Sequence, residues 1–376
     1  MKQFTRFVSF GVAALLIGVA VAPRLTAQDE FIPDRGQKVE QEQTDPQKEI
    51  QEKIKKYEEA IKDAQKYEGP FTVYQKEDQV LFELKPDQLG KCFFLQAALR
   101  TGADPMNVQA GMPLGNMDFG VDTFRFEKHL KDEVWLFYPN YRFRWSKDDP
   151  YAVASERSFP EAVLDAYKIV AEHPETHTML VDVSDMFRGE LFQLRELIAM
   201  ALGRPYMLDR KKSKVAEIKA YRENIVFRTQ LYFNSSGGPS QGLGALMALL
   251  GLGGGDHLAD ARSLPLGVTY NIYMVKESDY MPRLADPRIG YFTTDYYSLN
   301  RFMNEDKTER LIARWDIRKK NPEAEMSEPV APLVWYIDDS VPEKWRQACA
   351  DGILRWNKAF EAIGIKHAIE VRFKPK

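Results

Sequence analysis

The stretch Val226-Phe-Arg-Thr-Gln-Leu-Tyr-Phe233 and the later run Leu266–Val275 show the clearest regular pattern in the sequence. Both runs place successive side chains on alternating faces, and this period of two is typical of a β-strand with one buried face. Two such strands that follow each other are expected to pair as a long antiparallel hairpin. This pairing requires the segment between them to be a loop.

The segment between the two strands, residues 235–263, is rich in glycine and leucine. Its glycine clusters, Gly237-Gly238 and Gly251-Leu-Gly-Gly-Gly255, predict a mobile loop, because glycine leaves the backbone many conformations. Some glycine-rich loops bind phosphate, but they are followed by Gly-Lys-Ser/Thr inside a strand–loop–helix unit, and this segment has neither feature. We therefore predict a flexible insertion without a phosphate site.

An antiparallel sheet is also predicted for residues 71–145, because short apolar or alternating runs separated by turns are typical of neighbouring antiparallel strands. The predicted strands are Phe71–Tyr74, Val80–Leu84, Cys92–Leu99, Val121–Glu127, Val134–Tyr138 and Tyr141–Trp145. In the last strand Tyr141, Phe143 and Trp145 share one face. This row fits either an aromatic platform for sugars or bases or the buried face of an ordinary strand, and we favour the buried face.

Helices are predicted before and after this sheet in the sequence. Apolar residues recur every three or four positions from Ile50 to Ala64 and predict an amphipathic helix within a charged arm, residues 28–68. This helix fits either a surface helix docked on the body or a short coiled coil for a partner, and we favour docking. Two further helices are predicted over residues 158–173 and 191–202.

The carboxy-terminal part begins with a predicted linker, residues 321–332, followed by a strand over Leu333–Ile337. Ser340 and Glu343 then have the spacing of a capping box at the start of a helix. One face of that helix carries Trp345, Cys349, Gly352, Trp356, Phe360 and Ile363, and the apolar character of this face predicts that it is buried. A last strand is predicted over Ile369–Phe373.

The chain has two cysteines, which limits it to at most one disulfide. Cys92 lies in an apolar strand and Cys349 lies on the apolar helix face. We therefore predict two buried free thiols rather than a bridge.

Composition indicates a folded protein with several parts. The 376 residues are 44% hydrophobic and 28% charged, which suffices for a buried core and suggests two or three domains. The elements above predict an α+β protein whose antiparallel β-rich N-terminal region, residues 69–320, has helices packed on it. The formal net charge of -3 provides no positive field for a polyanion, so nucleic acid is excluded as a partner.

The N-terminus has the pattern of a secretory signal peptide. Lys2 and Arg6 precede the apolar run Phe7–Ala22, and the small-residue end Leu25-Thr-Ala27 precedes Gln28. The apolar run is shorter than the roughly 20 residues that a membrane-spanning helix needs, which disfavours a permanent anchor. We therefore predict that residues 1–27 are removed and that the mature chain is exported, periplasmic or extracellular, without a membrane span.

No catalytic constellation is visible in the residues themselves. His173 and His177 have the spacing of a zinc pair, but Pro174 stands where a helical zinc motif needs glutamate. The residue before proline avoids the helical conformation, so this pair is expected to span a turn rather than bind a metal. Gly-x-Ser-x-Gly, the motif of a serine nucleophile, occurs once, as Gly238-Pro-Ser-Gln-Gly242, but inside the predicted glycine-rich loop rather than at the strand-to-helix turn that such a nucleophile needs.

The carboxy-terminal third carries a series of short motifs. These are Met281–Phe292, Arg314-Trp315, Ser327-Glu-Pro329, Trp335–Asp338, Val341–Trp345 and Trp356–Phe360. On them the chain resembles bacterial exported zinc-dependent metallopeptidases of the metzincin type, whose large N-terminal region is a domain of unknown function. A weaker likeness reaches back to about Gly69.

The resemblance implies that residues 333–376 are the incomplete start of a metallopeptidase domain, with the first strand and first helix of a metzincin-like α/β catalytic domain. In the family a later helix bears His-Glu-x-x-His, which binds zinc, and its glutamate activates the zinc-bound water. This chain ends at Lys376 without that helix. No catalytic, cofactor-binding or metal-binding residue can therefore be assigned here, and zinc is implied only for the full-length family.

We therefore expect the noncatalytic N-terminal part of an exported zinc-dependent metallopeptidase, inactive by itself. Its partner would be the missing catalytic domain, and the family's substrate would be a peptide or protein. Residues 69–320 are expected to support folding, to inhibit, or to present substrate. The alternative is a periplasmic or extracellular binding protein without enzymatic activity.

A further hypothesis concerns Asp286 in the extended run Met281–Phe292. Its carboxylate could bind the zinc of the full-length enzyme and keep it latent, since carboxylate oxygen is an acceptable zinc ligand. The alternative, which we favour, is a turn in which Asp286 pairs with Arg283 or Arg288.

Overall fold

A computed structural model describes residues 46–103, 108–115, 121–189, 191–235, 258–260, 262–299 and 307–374. The described strands are β1 (Gln65–Glu68), β2 (Thr72–Lys76), β3 (Gln79–Leu84), β4 (Cys92–Leu99), β5 (Pro113–Leu114), β6 (Val121–Leu130), β7 (Glu133–Tyr138), β8 (Phe143–Arg144), β9 (Ala162–Glu172), β10 (Met179–Asp182), β11 (Tyr206–Leu208), β12 (Lys214–Ala220), β13 (Ile225–Ser235), β14 (Ser263–Met274), β15 (Thr293–Ser298), β16 (Thr308–Ile312), β17 (Leu333–Ile337) and β18 (Ile369–Phe373).

The described α-helices are α1 (Pro46–Ile61), α2 (Ala152–Ser158), α3 (Ser184–Arg188), α4 (Leu194–Leu202), α5 (Glu343–Leu354) and α6 (Asn357–Glu361). The predicted signal peptide, residues 1–27, lies outside the described residues. Most of the predicted loop over residues 235–263 also lies outside them.

The predicted long hairpin is confirmed. β13 and β14 pair antiparallel from Ile225 opposite Ile272 to Asn234 opposite Ser263. Alternate residues of β13 are buried, as the period of two in the sequence predicts. The other edge of β14 pairs with β4, so the hairpin lies inside a larger sheet.

That larger sheet has thirteen of the described strands, in the order β1-β2-β3-β10-β9-β7-β6-β4-β14-β13-β11, with β12 also paired to β13 and β5 to β4. Its ends come together, so the sheet is nearly closed and barrel-like. The Gln75 side-chain amide on β2 donates to the Val215 carbonyl on β12 at 3.4 Å. Gly69 fits this seam because a Cβ there would meet the Ile225 side chain at 2.7 Å.

The interior of the sheet is filled with aromatic rings. Phe227 stacks on Phe187 with ring centroids 4.0 Å apart, and Phe82 lies 5.8 Å from Phe227. Phe93 and Phe126 continue the cluster at 5.2 Å. All five rings are almost fully buried, so this side of the sheet is a packed core.

The prediction of an α+β fold with packed helices is wrong, because the described part of the chain is mostly antiparallel β with few helices. The clearest error is the predicted helix over residues 158–173, where the structure has strand β9 instead. Tyr167 and Ile169 alternate into the core, Ala171 is buried in the small cluster beneath α1, and β9 pairs with β7 and β10. The helical spacing in the sequence relied on Val163 and Leu164, which are both exposed.

Helix α1 docks on the outer face of this sheet. Tyr57, Ala60 and Ile61 pack against a small cluster that includes Leu81 and Leu180. The predicted docked surface helix is therefore confirmed.

A smaller sheet has the order β16-β15-β8, and its strand β8 contains Phe143 of the predicted aromatic row. The Phe143 ring stacks on Phe159 at 3.9 Å and on Tyr297 at 5.2 Å. Because both neighbours come from this chain, Phe143 is a packing residue rather than a free platform, but Tyr141 of the same predicted face is 50% exposed, so the favoured buried face holds only in part.

Candidate functional site

The extended segment Met281–Phe292, which we call the strap, lies along strand β16. The Ala285 amide donates to the Arg310 carbonyl at 2.7 Å, and the Ile312 amide donates to the Arg283 carbonyl at 2.9 Å. Pro282 and Pro287 restrict the backbone and favour this extended conformation. The strap is thus an extension of the small sheet.

Large apolar side chains of the strap face solvent. Met281 is 77% exposed and Phe292 is 83% exposed. Leu284, Ile289 and Tyr291 are exposed as well. The Ala313 amide donates to the Phe292 carbonyl, and Trp315, two residues further along, is 62% exposed. So many large exposed apolar side chains in one region are typical of an interaction surface.

Arginines fix the start of the strap. Arg314 donates to the Met281 carbonyl at 2.7 Å, and its guanidinium lies 4.5 Å from the centre of the Tyr280 ring. Arg318 pairs with Asp279 at 2.7 Å. These contacts position the backbone without covering the apolar side chains, so the surface stays accessible.

Asp286, the hypothetical latency ligand, is paired within the strap. Both of its carboxylate oxygens accept hydrogen bonds from the Arg288 guanidinium, at 2.9 and 2.5 Å. The bond from Arg288 lowers the pKa of Asp286 below its usual range. This is the arginine pairing that we favoured, and it accounts for the residue without a metal.

The carboxy-terminal unit consists of β17, α5, α6 and β18, with the two strands paired in parallel from Leu333 opposite Ile369 to Ile337 opposite Phe373. The predicted strands over these residues are confirmed. The strands expose Trp335, Tyr336 and Phe373. Since parallel sheets are normally covered on both faces, a two-stranded one with exposed aromatic side chains has unsatisfied packing surface.

The predicted buried helix face is wrong. Helices α5 and α6 turn Ala350, Ile353 and Phe360 inward, whereas Trp345 is 56% exposed and Trp356 is 66% exposed. At 100° per residue, Ala350 lies about 140° around the helix from Trp345, whereas Phe360, a member of the predicted face, is half-buried about 40° from Trp356. The sequence pattern thus identified an apolar face but assigned it to the core instead of to the surface.

The predictions of two buried cysteines and of a capping box are also wrong. Cys349 is exposed because it lies on the outward face, and Cys92 is only half-buried, although both thiols are free as predicted. Ser340 and Glu343 form no capping box, because α5 begins after Pro342 without a side-chain cap.

The predicted linker, residues 321–332, is anchored by Ser327, which is buried. Its hydroxyl accepts from the Asn321 amide at 3.0 Å, and its backbone exchanges hydrogen bonds with Gly364 and Lys366. Gly364 adopts a φ of +81°, and a Cβ there would lie 2.3 Å from the Glu325 carbonyl oxygen. These contacts hold the carboxy-terminal unit to the preceding chain.

The histidine pair lies in the turn between β9 and β10, as predicted. The His177 amide donates to the His173 carbonyl at 2.9 Å, and the His173 ring packs edge-on against Tyr57. Within the described ranges, no three histidine, cysteine, aspartate or glutamate side chains are grouped so that they could hold a metal ion.

A polar cleft of about 530 Å³ lies beside α1 and α3 and includes Gln79, Asp182 and Ser184. The Ser184 hydroxyl donates to Asp182 at 2.5 Å and accepts from the Val80 amide at 2.9 Å. Gln79 donates to the other Asp182 oxygen at 2.8 Å. These three side chains satisfy one another's hydrogen bonds, and they fix the start of α3 against β3.

The strap and the outward tryptophans are therefore the candidate functional surfaces, and sequence reasoning found neither as an exposed surface. The signal was present in the large apolar residues near Pro282 and Pro287 and in the tryptophans of α5. Sequence alone could not separate such residues from core residues, because both are apolar.

Two family models match the chain, and both describe domains of unknown function. The first, Domain of unknown function (DUF5118), matches residues 54–97. The second, Domain of unknown function (DUF5117), matches residues 116–320, which is more than half of the 376 residues. Neither description states an activity.

No curated protein and no solved structure matches the chain. None of the helices in the described residues is long and apolar enough to cross a membrane. The match over residues 116–320 covers β6 to β16 and the strap. The chain therefore belongs to the family of proteins with the domain of unknown function DUF5117.

Proposed function

We propose that this chain is the noncatalytic N-terminal part of an exported zinc-dependent metallopeptidase. The observation that carries the proposal is the carboxy-terminal parallel strand pair, which exposes Trp335, Tyr336 and Phe373. A parallel pair becomes stable when further strands and helices cover it. The resemblance of Trp335–Asp338 and Val341–Trp345 to zinc metallopeptidases supports a peptidase domain as that further structure.

The nearly closed sheet and the strap would support this peptidase domain. The strap presents Met281, Leu284 and Phe292 to solvent on a backbone fixed by β16. A rigid extended segment with large apolar side chains is suited to packing against a second domain, because little conformational entropy is lost on contact. The scaffold would thereby support folding of the catalytic domain or control access to it.

Zinc would supply a Lewis acid and an activated water in such an enzyme. The described residues offer no group of three ligands for it, so its ligands would come from other residues. The catalytic step is therefore assigned to a part of the protein outside the scaffold described here.

Reading the transcript beyond codon 376 tests this proposal. We expect an in-frame His-Glu-x-x-His downstream, since that helix supplies the zinc ligands and the general base in the family. A transcript without this motif in any frame would contradict the proposal and favour the alternative, a noncatalytic binding protein that uses the strap.

Export is part of the proposal and has its own test. The basic start, the apolar run and the small-residue end of residues 1–27 predict cleavage before Gln28. Intact-mass measurement on protein from the periplasm or medium should give a chain that begins at Gln28. Protein that retains Met1 would contradict export by cleavage.

A further inference from the structure

The outward face of α5 and the following turn carries Trp345, Cys349, Gly352 and Trp356, which we call the tryptophan stripe. The successive steps along it are four, three and four residues, so the order large, small, small, large reads the same in both directions. A surface that meets its own copy across a two-fold axis must be self-complementary in this way. The heptad-like spacing is that of a helix–helix seam.

The stripe is separate from the packing of its own unit. Helix α5 packs against β17 and β18, with Ala350 buried and Ile353 half-buried at about 130° and about 70° around the helix from the stripe. The packing within the described part of the unit therefore leaves the stripe open.

Gly352 at the centre of the stripe has no explanation within one copy of the chain. A Cβ built there meets no atom within 4 Å, and its backbone needs no left-handed conformation. Glycine in the middle of a helix is destabilising relative to alanine. Its use between two tryptophans is explained if another backbone approaches closely at this point.

We propose that two copies of this chain associate through the tryptophan stripe, with their α5 helices antiparallel and the two-fold axis between Cys349 and Gly352. In this arrangement Trp345 of each copy packs beside Trp356 of the other, and each Cys349 packs over the other copy's Gly352. The two small residues let the helices approach, and the tryptophans close the ends of the contact.

The area available fits a weak dimer. Covering the exposed parts of two tryptophans in each copy removes on the order of 500–600 Å² from water over both copies. Ile363, which is also exposed, and the neighbouring small side chains bring the total to about 1,000 Å², the lower limit of a specific interface. Association is therefore expected in the micromolar range rather than the nanomolar range.

The charges at the rim give the dimer a characteristic salt dependence. Lys344 lies over the Trp345 ring at 5.2 Å, and Arg355 precedes Trp356. Antiparallel pairing brings Lys344 of one copy near Arg355 of the other, so like charges meet. Added salt screens this repulsion and should strengthen the association, unlike an interface based on ion pairs.

Sedimentation of the purified chain over a range of concentrations tests the proposal. We expect the average mass to rise from monomer toward dimer with concentration, and to rise further at high salt. Gly352→Gln should abolish this increase, because its side chain fills the point of closest approach. Leu354→Gln, on the opposite side of the helix, is the matched control and should still dimerise.

Oxidative cross-linking gives a second readout. In Cys92→Ser protein the remaining thiol, Cys349, lies beside the two-fold axis and should form a disulfide dimer under mild oxidation. Gly352→Gln in the same background should lose it while keeping its circular dichroism spectrum. A monomer at all concentrations, a dimer unaffected by Gly352→Gln, or a monomer in which Cys349 resists thiol reagents would overturn the proposal.

Discussion

At the scale of single residues, Phe227 lies in the aromatic interior, between the rings of Phe187 and Phe82, and is 0% exposed. Phe292 has the same side chain on the strap but contributes surface instead of core. Whether each phenylalanine is buried depends on neighbours from distant parts of the chain. The local sequence around Phe227 or Phe292 therefore does not predict its burial.

Phe227→Ala should destabilise the protein by about 3–5 kcal/mol, because it removes buried apolar surface and leaves a cavity in a packed core. Phe292→Ala is the matched control and should change the free energy of unfolding by less than about 0.5 kcal/mol. Urea denaturation of both variants measures the difference. Equal effects of the two substitutions would contradict the burial of Phe227 or the exposure of Phe292.

Gly364→Ala should destabilise the protein by more than about 1 kcal/mol, because alanine is strained at a positive φ. Its Cβ would also collide with the Glu325 carbonyl oxygen. Gly352→Ala should instead raise the free energy of unfolding of the monomer by up to about 1 kcal/mol, since that Cβ meets nothing. Thermal unfolding of both variants at low concentration should give shifts of opposite sign.

Stability should fall at alkaline pH partly because of Tyr74. Burial and the nearby Glu83 carboxylate raise the pKa of Tyr74 to about 12, whereas an unfolded tyrosine ionises near 10. The contribution of protonated Tyr74 to the free energy of unfolding is therefore complete below about pH 10 and is lost as the pH rises toward 12. The free energy of unfolding of Tyr74→Phe should decline less steeply over this range, and an unchanged slope would contradict the assignment.

At the scale of elements, period-two patterns predicted the strands better than the helical patterns predicted helices. The β13–β14 hairpin was predictable because its apolar face is complete along both strands. Strand β9 was mistaken for a helix because Val163 and Leu164, both exposed, completed a helical spacing. The local pattern lost to pairing with β7 and β10, which only the three-dimensional arrangement supplies.

The attachment of the carboxy-terminal unit depends on Ser327. Ser327→Ala should remove the hydrogen bonds of a buried hydroxyl, from the Asn321 amide and to the Glu328 carbonyl, at a cost of about 1 kcal/mol. We expect faster amide hydrogen exchange in β17 and β18 with unchanged exchange in β13 and β14. Uniformly faster exchange would indicate instead that the unit and the large sheet unfold together.

At the scale of the whole molecule, antiparallel pairing was predictable from short strands, but the near closure of the sheet was not. Closure depends on contacts such as Gln75 to Val215, between strands far apart in the chain. The sequence did not predict the candidate surfaces for the same reason. The strap and the tryptophan stripe are exposed because no distant part of the described chain packs over them.

Zinc titration and peptidase assay on this purified chain test the central claim most directly. The claim is that the chain provides a scaffold for a peptidase and not its catalytic centre. We predict no stoichiometric zinc binding by calorimetry and no cleavage of unstructured peptides, because a catalytic zinc needs about three converging ligands and an open position for water. One tightly bound zinc per chain, or peptidase activity that a chelator abolishes, would contradict the account.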